Sequence, residues 1–322
     1  MNILINDGIS TKGGKMLQEA GFKLFTQKVP QDKLVRFMND KHIEILLVRG
    51  NTQVPMEVIE DTPSLKLIGR GGSRLDNIDV EYAEEMGIHV INTPFASSQS
   101  VAEMVFAHLF GLARNLHDSN RNMPLEGDLN FSDLKRSYAN AIELKGKTLG
   151  IVGYGRIGKA VAKMALGLGM KVLGVAHENH EGDADEVKID FHDGQSLTFK
   201  VPLLELEEVL KESDFITLHV PRQEHYLIDE LAISKMKDGV ILLNLARGGV
   251  IDEVALIKAI EEGKVRSAAL DVFEKEPTPE LQILMHPQLS LSPHVGGLTI
   301  DAQNRIGVEL AEQIISIFGK QN

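Results

Sequence analysis

Apolar positions in the N-terminal part of the chain fall into short runs separated by stretches of helical periodicity. Ile3-Leu4-Ile5, Ile45-Leu46-Leu47-Val48, Leu67-Ile68-Gly69 and His89-Val90-Ile91 read as strands, and Lys12 to Ala20 reads as a helix. Strands separated by helices imply a parallel sheet. Beyond Pro94 a helical pattern rich in Ala, Leu and Met runs from Ser100 to Leu116, with Ser97, Ser98 and Gln99 available around its N-cap. The segment Asn120 to Leu144 is polar and weakly periodic, which predicts a loop with a short helix.

A second α/β series begins at Lys147 to Val152 and continues through a helix ending near Leu168. Strands follow at Lys171 to Val175, Phe215 to His219, Val240 to Asn244, Ser267 to Val272 and Leu289 to Ser292, with a helix at Glu253 to Glu261. The acidic stretch Glu178 to Pro202 contains Asp193-Gly194, a hairpin turn signal between two β-like runs. The last helix, Ala302 to Ile317, is expected to cross back to the first domain.

Length and charge narrow the class. The 322 residues suit two domains of roughly 100 to 200 residues each. No run of about 18 apolar residues could cross a bilayer, and the N-terminus lacks the blocks of a signal peptide, so a cytoplasmic location is expected. With no cysteine there is no thiolate nucleophile and no Cys-ligated metal, which leaves His, carboxylates, Arg or a cofactor to do chemistry. A net charge of -12 argues against nucleic-acid and anionic-membrane partners. An anionic small molecule would have to be drawn in locally, which directs attention to Arg residues beside Gly-rich turns.

Gly153-Tyr154-Gly155-Arg156-Ile157-Gly158 follows an apolar strand and opens a helix, the context in which a glycine motif predicts a dinucleotide. Gly153 permits the tight turn, Gly155 leaves room for pyrophosphate, Gly158 allows close packing, and the helix N-terminus offers free N–H groups. The ribose-binding acid expected at the end of the next strand is missing, because Ala176-His177-Glu178 stands there. Glu178 could reach the ribose or His177 could accommodate a 2′-phosphate, so NAD is expected with NADP left open. His177 and His180 lack a third ligand, and no metal is expected.

Arg247, the carboxylates of Asp271 to Glu276, and His294 each lie just past a strand end, where open α/β sheets bind ligands. A guanidinium grips a carboxylate and polarises a ketone. An imidazole exchanges the alcohol proton, and a carboxylate on its other nitrogen fixes the tautomer. Together these residues fit reversible hydride transfer to a 2-keto acid.

The same segments resemble the D-isomer-specific 2-hydroxyacid dehydrogenases over essentially the whole chain. The resemblance implies a Rossmann-type nucleotide-binding domain at 99–293, inserted in a flavodoxin-like substrate domain made of 1–98 and 294–322. It implies that Arg247, Glu276 and His294 are catalytic. Gly153, Gly155, Arg156, Ile157, Gly158, Ala176, His177, Pro221, Ala246, Asp271 and Gly296 would border the cofactor, with Asp271 at the nicotinamide carboxamide. Leu47-Val48-Arg49, Ile68-Gly69-Arg70-Gly71-Gly72, Asp76-Asn77-Ile78-Asp79 and Asn92-Thr93-Pro94 are most similar to members acting on 3-phosphoglycerate. Arg49, Arg70, Gly72, Ser73, Arg74 and Arg247 would then hold a phosphorylated substrate, in a homodimer or homotetramer serving serine biosynthesis.

The chain departs from the family at Ser73-Arg74, where a small pair ending in Gly is usual. The Arg is expected either to strain the turn or to point a further cation into the site. The chain ends at Asn322, so serine feedback through a C-terminal domain is not expected. A glyoxylate or hydroxypyruvate reductase, and a dinucleotide-sensing interaction protein of the corepressor type, are the alternatives.

Overall fold

In the computed structural model, residues 1–175 and 183–319 are described. The chain separates into two compact units, Met1–Ser98 with Leu298–Asn322, and Gln99–Gly297. The second unit is thus a continuous segment set between the two pieces of the first.

The first unit holds β1 (Asn2–Ile5), β2 (Lys23–Phe25), β3 (Ile45–Val48), β4 (Leu67–Arg70) and β5 (His89–Asn92) in the order β2-β1-β3-β4-β5, all parallel. This is the flavodoxin-like doubly wound order. Successive side chains serve opposite faces: Leu4, Leu46, Val48 and Ile68 enter one core cluster, while Ile3, Ile5, Ile45, Leu47 and Leu67 enter another with Leu17, Ala311 and Ile314. Those last residues come from the helices Thr11–Glu19 and Ile300–Phe318, capped by Ser10 and Thr299. Their close approach rests on glycine. A Cβ on Gly13 would lie 2.2 Å from the Gly307 carbonyl oxygen, and one on Gly307 would lie 2.2 Å from Ser10 Oγ.

The second unit is built on β6 (Thr148–Val152), β7 (Lys171–Val175), β10 (Phe215–Leu218), β11 (Val240–Asn244), β12 (Val265–Leu270) and β13 (Leu289–Leu291). These form one parallel sheet of order β13-β12-β11-β10-β6-β7, of the Rossmann type. β10 and β11 are buried throughout, as strands covered on both faces must be. The helix Ser98–Ala113 covers one face, packing Val105, Phe106 and Leu109 with Leu149, Ile151, Phe215, Ile241 and Leu243. Where a third crossover strand would extend the sheet beyond β7, the chain instead makes the antiparallel pair β8 (Ala184–Asp190) and β9 (Ser196–Pro202). Gly194 takes the positive φ of its turn, as the Asp-Gly signal predicts. Leu203 bridges Gly174 on the outer edge of β7.

Two expectations need correction. The long helix ends at Ala113, and Asn115, at φ 53°, turns the chain into a separate helix, Leu116–Glu126. The polar segment from Asn120 to Leu144 therefore holds more helix than a loop with one short helix: the end of Leu116–Glu126, then Phe131–Ser137 and a 3-10 turn at Tyr138–Asn140. Leu116–Glu126 has no buried residue, so no apolar stripe marks it in the sequence.

Candidate active site

β6 delivers the chain into the glycine turn. Gly153 has φ 94°, and a Cβ there would meet the His219 carbonyl carbon at 2.7 Å. A Cβ on Gly158 would lie 2.6 Å from the Gly153 carbonyl oxygen, whereas Gly155 opens onto free space. Gly155 also precedes the helix Arg156–Gly167, whose first turn directs N–H groups outward. Tight turn, open floor and helix dipole together make a pyrophosphate cradle, so these residues fit a dinucleotide. Arg156 is exposed and Ile157 half-buried beside it, and Pro221 is exposed beyond β10. Ala176 and His177 lie outside the described residues.

Arg247 follows β11. The Asn244 side chain folds that loop, donating to the Arg247 carbonyl at 2.9 Å and accepting from the Ala246 N–H at 3.1 Å. The half-buried Arg247 guanidinium donates to the Ala246 carbonyl. Gly248 then lies directly against the loop after β12, for a Cβ there would be 1.8 Å from the Phe273 carbonyl oxygen. The Phe273 N–H in turn donates to Glu276 Oε1 at 3.1 Å, and Glu276 Oε2 accepts from His294 Nδ1 at 2.9 Å. Loops from three neighbouring strand ends are therefore linked in one chain of contacts from Arg247 to His294.

With Nδ1–H given to Glu276, Nε2 is the nitrogen left to exchange a proton. Both side chains are accessible, His294 at 46% and Glu276 at 38%. A depression of about 410 Å³ opens beside them, walled by Phe273, Pro277, Leu284, Leu291 and Pro293. His294 itself sits at φ 56°, a left-handed conformation that a non-glycine residue keeps only where its surroundings impose it. The buried Asp271 supplies that constraint: it accepts from Val295 N and Gly296 N at 2.9 Å each and from Ser292 Oγ at 2.5 Å.

The first unit carries the remaining arginines. Arg49 follows β3 and its N–H donates to Asp7 Oδ2 at 2.8 Å; Arg70 ends the adjacent β4. Both Nε atoms are buried with no hydrogen-bond partner among the described residues. Burial lowers the pKa of both guanidiniums; Asp7 opposes this for Arg49 and Asp76 for Arg70, where the Arg74 and Arg49 charges add to the lowering. Gly72, at φ 138°, lets the turn cross this cation: a Cβ there would be 2.5 Å from Arg70 Nη1. The Gly72 N–H donates to Thr93 Oγ1 at 2.8 Å, and Asn92 Nδ2 donates to the Ser73 carbonyl at 3.0 Å.

Arg74 resolves differently from either expectation. Ser73 and Arg74 have no positive φ, and Arg74 forks onto Asp76 through Nε at 2.8 Å and Nη2 at 2.5 Å. Its charge is answered locally. Within the second unit the structure brings together Ala246, Arg247, Asp271, Glu276, His294 and Gly296; within the first it groups Arg49, Arg70, Gly72 and Ser73. Sequence reasoning did not find Gly248, Phe273 and Ser292. Among the described residues no cluster of His, Asp and Glu could hold a metal ion, and no helix is long and apolar enough to cross a membrane.

Comparison with known proteins gives the setting of this geometry. Residues 106–296 match the family described as D-isomer specific 2-hydroxyacid dehydrogenase, NAD binding domain. The chain is 38% identical, over 98% of its length and 97% of the relative's, to the hydroxypyruvate reductase of Thermotoga maritima. It is also 38% identical over 98% of its length to the D-3-phosphoglycerate dehydrogenase of Methanocaldococcus jannaschii, but spans only 57% of that protein. Among solved structures, the D-lactate dehydrogenase of Aquifex aeolicus, complexed with NAD and lactic acid, is similar with a TM-score of 0.72 at 30% identity, covering 98% of this chain and 95% of that one.

Proposed function

Since this chain belongs to the D-isomer specific 2-hydroxyacid dehydrogenase family and is an NAD-dependent oxidoreductase, we propose that its substrate is D-3-phosphoglycerate, oxidised to 3-phosphohydroxypyruvate for serine synthesis. The observation that carries this reading is the Arg49–Arg70 turn. Two half-buried cations with unpartnered Nε atoms are costly unless an anion completes them, and phosphate brings nearly two negative charges.

In this reading Arg247 clamps the substrate carboxylate and polarises the C2 oxygen. His294 Nε2 takes the C2 hydroxyl proton as the C2–H bond breaks, and Glu276 stabilises the imidazolium that forms. The Gly153–Gly158 turn would hold NAD, which when bound would supply the acceptor for the hydride released from C2. In the reverse direction His294 returns the proton to the carbonyl oxygen. The exposed Leu125, Leu129 and Phe131 support self-association, which light scattering would measure.

Turnover of D-3-phosphoglycerate and D-glycerate, and of hydroxypyruvate with and without its phosphate, tests the substrate. Charge-assisted contacts should favour each phosphorylated member by about tenfold to a hundredfold in kcat/KM. Arg49→Ala and Arg70→Ala should erase most of that preference. Equal values in the unaltered enzyme would transfer the assignment to hydroxypyruvate reduction, which the near-complete coverage of the Thermotoga maritima relative favours. Negligible turnover with retained NADH binding would point to dinucleotide sensing.

A further inference from the structure

His108 lies in the middle of the helix Ser98–Ala113, on the face packed against the six-stranded sheet, and it is 7% exposed. A buried imidazole among Val105, Phe106 and Leu109 requires partners, and it has one on each nitrogen. Nδ1 is 2.8 Å from Ser290 Oγ and Nε2 is 2.9 Å from Ser292 Oγ. Those serines are two positions apart at the end of β13, so both point to the same side and one ring grips the strand at two points. His294 follows two residues later.

The direction of each bond follows from the number of protons available. Ser292 Oγ has one hydrogen, and at 2.5 Å from Asp271 Oδ1 it gives it to the carboxylate. The Ser292 oxygen can then only accept from His108, so Nε2 carries a proton. Burial disfavours the imidazolium, and His117 disfavours it further while Asp271 opposes them. These are the ionisable groups that face the ring. The His117 ring is itself directed at the Gly111 and Pro287 carbonyls, at 3.3 and 3.2 Å. The neutral ring leaves Nδ1 as acceptor for the Ser290 hydroxyl.

We propose that His108 is a positioning residue: as the neutral Nε2–H tautomer it orients Ser292 towards Asp271, and Asp271 holds the backbone that presents His294. The path has four steps. His108 fixes the Ser292 hydroxyl, Ser292 fixes one oxygen of Asp271, and Asp271 holds Val295 N and Gly296 N. Those amides keep His294 in its left-handed conformation, with Nδ1 on Glu276. The consequence for turnover rests on the acid–base role given to His294, whereas the tautomer and the held backbone do not.

Nitrogen NMR of the ¹⁵N-histidine-labelled enzyme near neutral pH should find His108 neutral and protonated on Nε2. Protonation on Nδ1 instead, or a charged ring, would overturn the proposal. Amide hydrogen exchange at Val295 and Gly296 should quicken in His108→Leu, and unchanged exchange there would equally overturn it. In the same variant kcat should fall by about tenfold to a hundredfold, as expected when a catalytic group is misplaced by a fraction of an ångström. His108→Gln, which keeps an N–H donor, should recover most of the loss. If His108→Leu does not fold, Ser292→Ala takes its place, with the same exchange and kcat outcomes. An enzyme that turns over no 2-hydroxy acid would defeat the proposed function while leaving the tautomer and exchange results to decide this one.

Discussion

Around His294 the charged groups meet their complements within the fold: Glu276 receives the imidazole and the Phe273 amide, and Asp271 receives two amides and a hydroxyl. Around Arg70 the arrangement is the reverse, with two cations gathered at one turn and their Nε atoms lacking partners. The contrast separates two tasks. A group that must hold one proton-exchanging nitrogen in place benefits from being fully constrained before substrate arrives. In the proposed reading, a group that attracts an anion benefits from donors left open for it, even though Asp7 and Asp76 offset part of the two charges. Arg74 illustrates the competing case, since Asp76 already occupies its fork.

The largest effect should come from removing the constrained nitrogen. His294→Ala is expected to lower kcat by about 10² to 10⁴ with NAD affinity unchanged, and a near-normal kcat would show that the paired region is not the chemical one. Next is the contact that joins the Arg247 loop to the Glu276 loop. Gly248→Ala places a methyl group against the Phe273 carbonyl, so kcat should fall at least about tenfold. Thermal unfolding should report a loss of about 1 to 3 kcal/mol. Wild-type values for both quantities would mean that the two loops are not coupled.

At the arginine turn the contrast predicts a small effect. Arg74→Ala should change the preference for phosphorylated over unphosphorylated substrate by less than about fivefold, the usual limit for an exposed ion pair. A loss equal to that of Arg70→Ala would show that Arg74 leaves Asp76 to bind substrate.

The last effect falls on stability and leaves turnover aside. His219 is half-buried, with Nδ1 enclosed and without a partner among the described residues and Nε2 3.0 Å from Thr217 Oγ1, and burial pushes its pKa from 6.5 to about 3. The unfolded chain therefore binds a proton that the folded chain refuses between those values, so stability falls as pH drops from 6.5 towards 3. Melting temperatures of the wild type and His219→Gln over that range should converge as pH falls. Parallel curves would refute the burial argument.

Much of this was legible in the residues because the responsible forces are local. Strands covered on both faces announce themselves as apolar runs, and glycines forced by positive φ or backbone contact stand at fixed spacing after β6. Arg247, Glu276 and His294 were visible because each follows such a run. The helix Leu116–Glu126 was not, since a helix that buries nothing needs no periodicity. Nor was the fate of Arg74, which depends on a side-chain pairing within a loop. Ser292 and His108 were hidden for a further reason. A serine before Pro293 and a histidine in an apolar helix look unremarkable until tertiary packing sets one against the other.

The glycine contact between the helices Thr11–Glu19 and Ile300–Phe318 has a bearing on biosynthesis. As the ribosome releases the chain, the first sheet emerges early but lacks the helix that seals one of its apolar faces. Everything that builds the second unit emerges before that helix does, and being continuous in sequence it can complete its own core in the interval. The first unit must wait with Ile3, Ile5, Ile45, Leu47 and Leu67 incompletely covered, a window in which nascent chains are exposed to aggregation. The late closure also gives this contact an unusually high sequence separation, so its formation should belong to the slow phase of refolding.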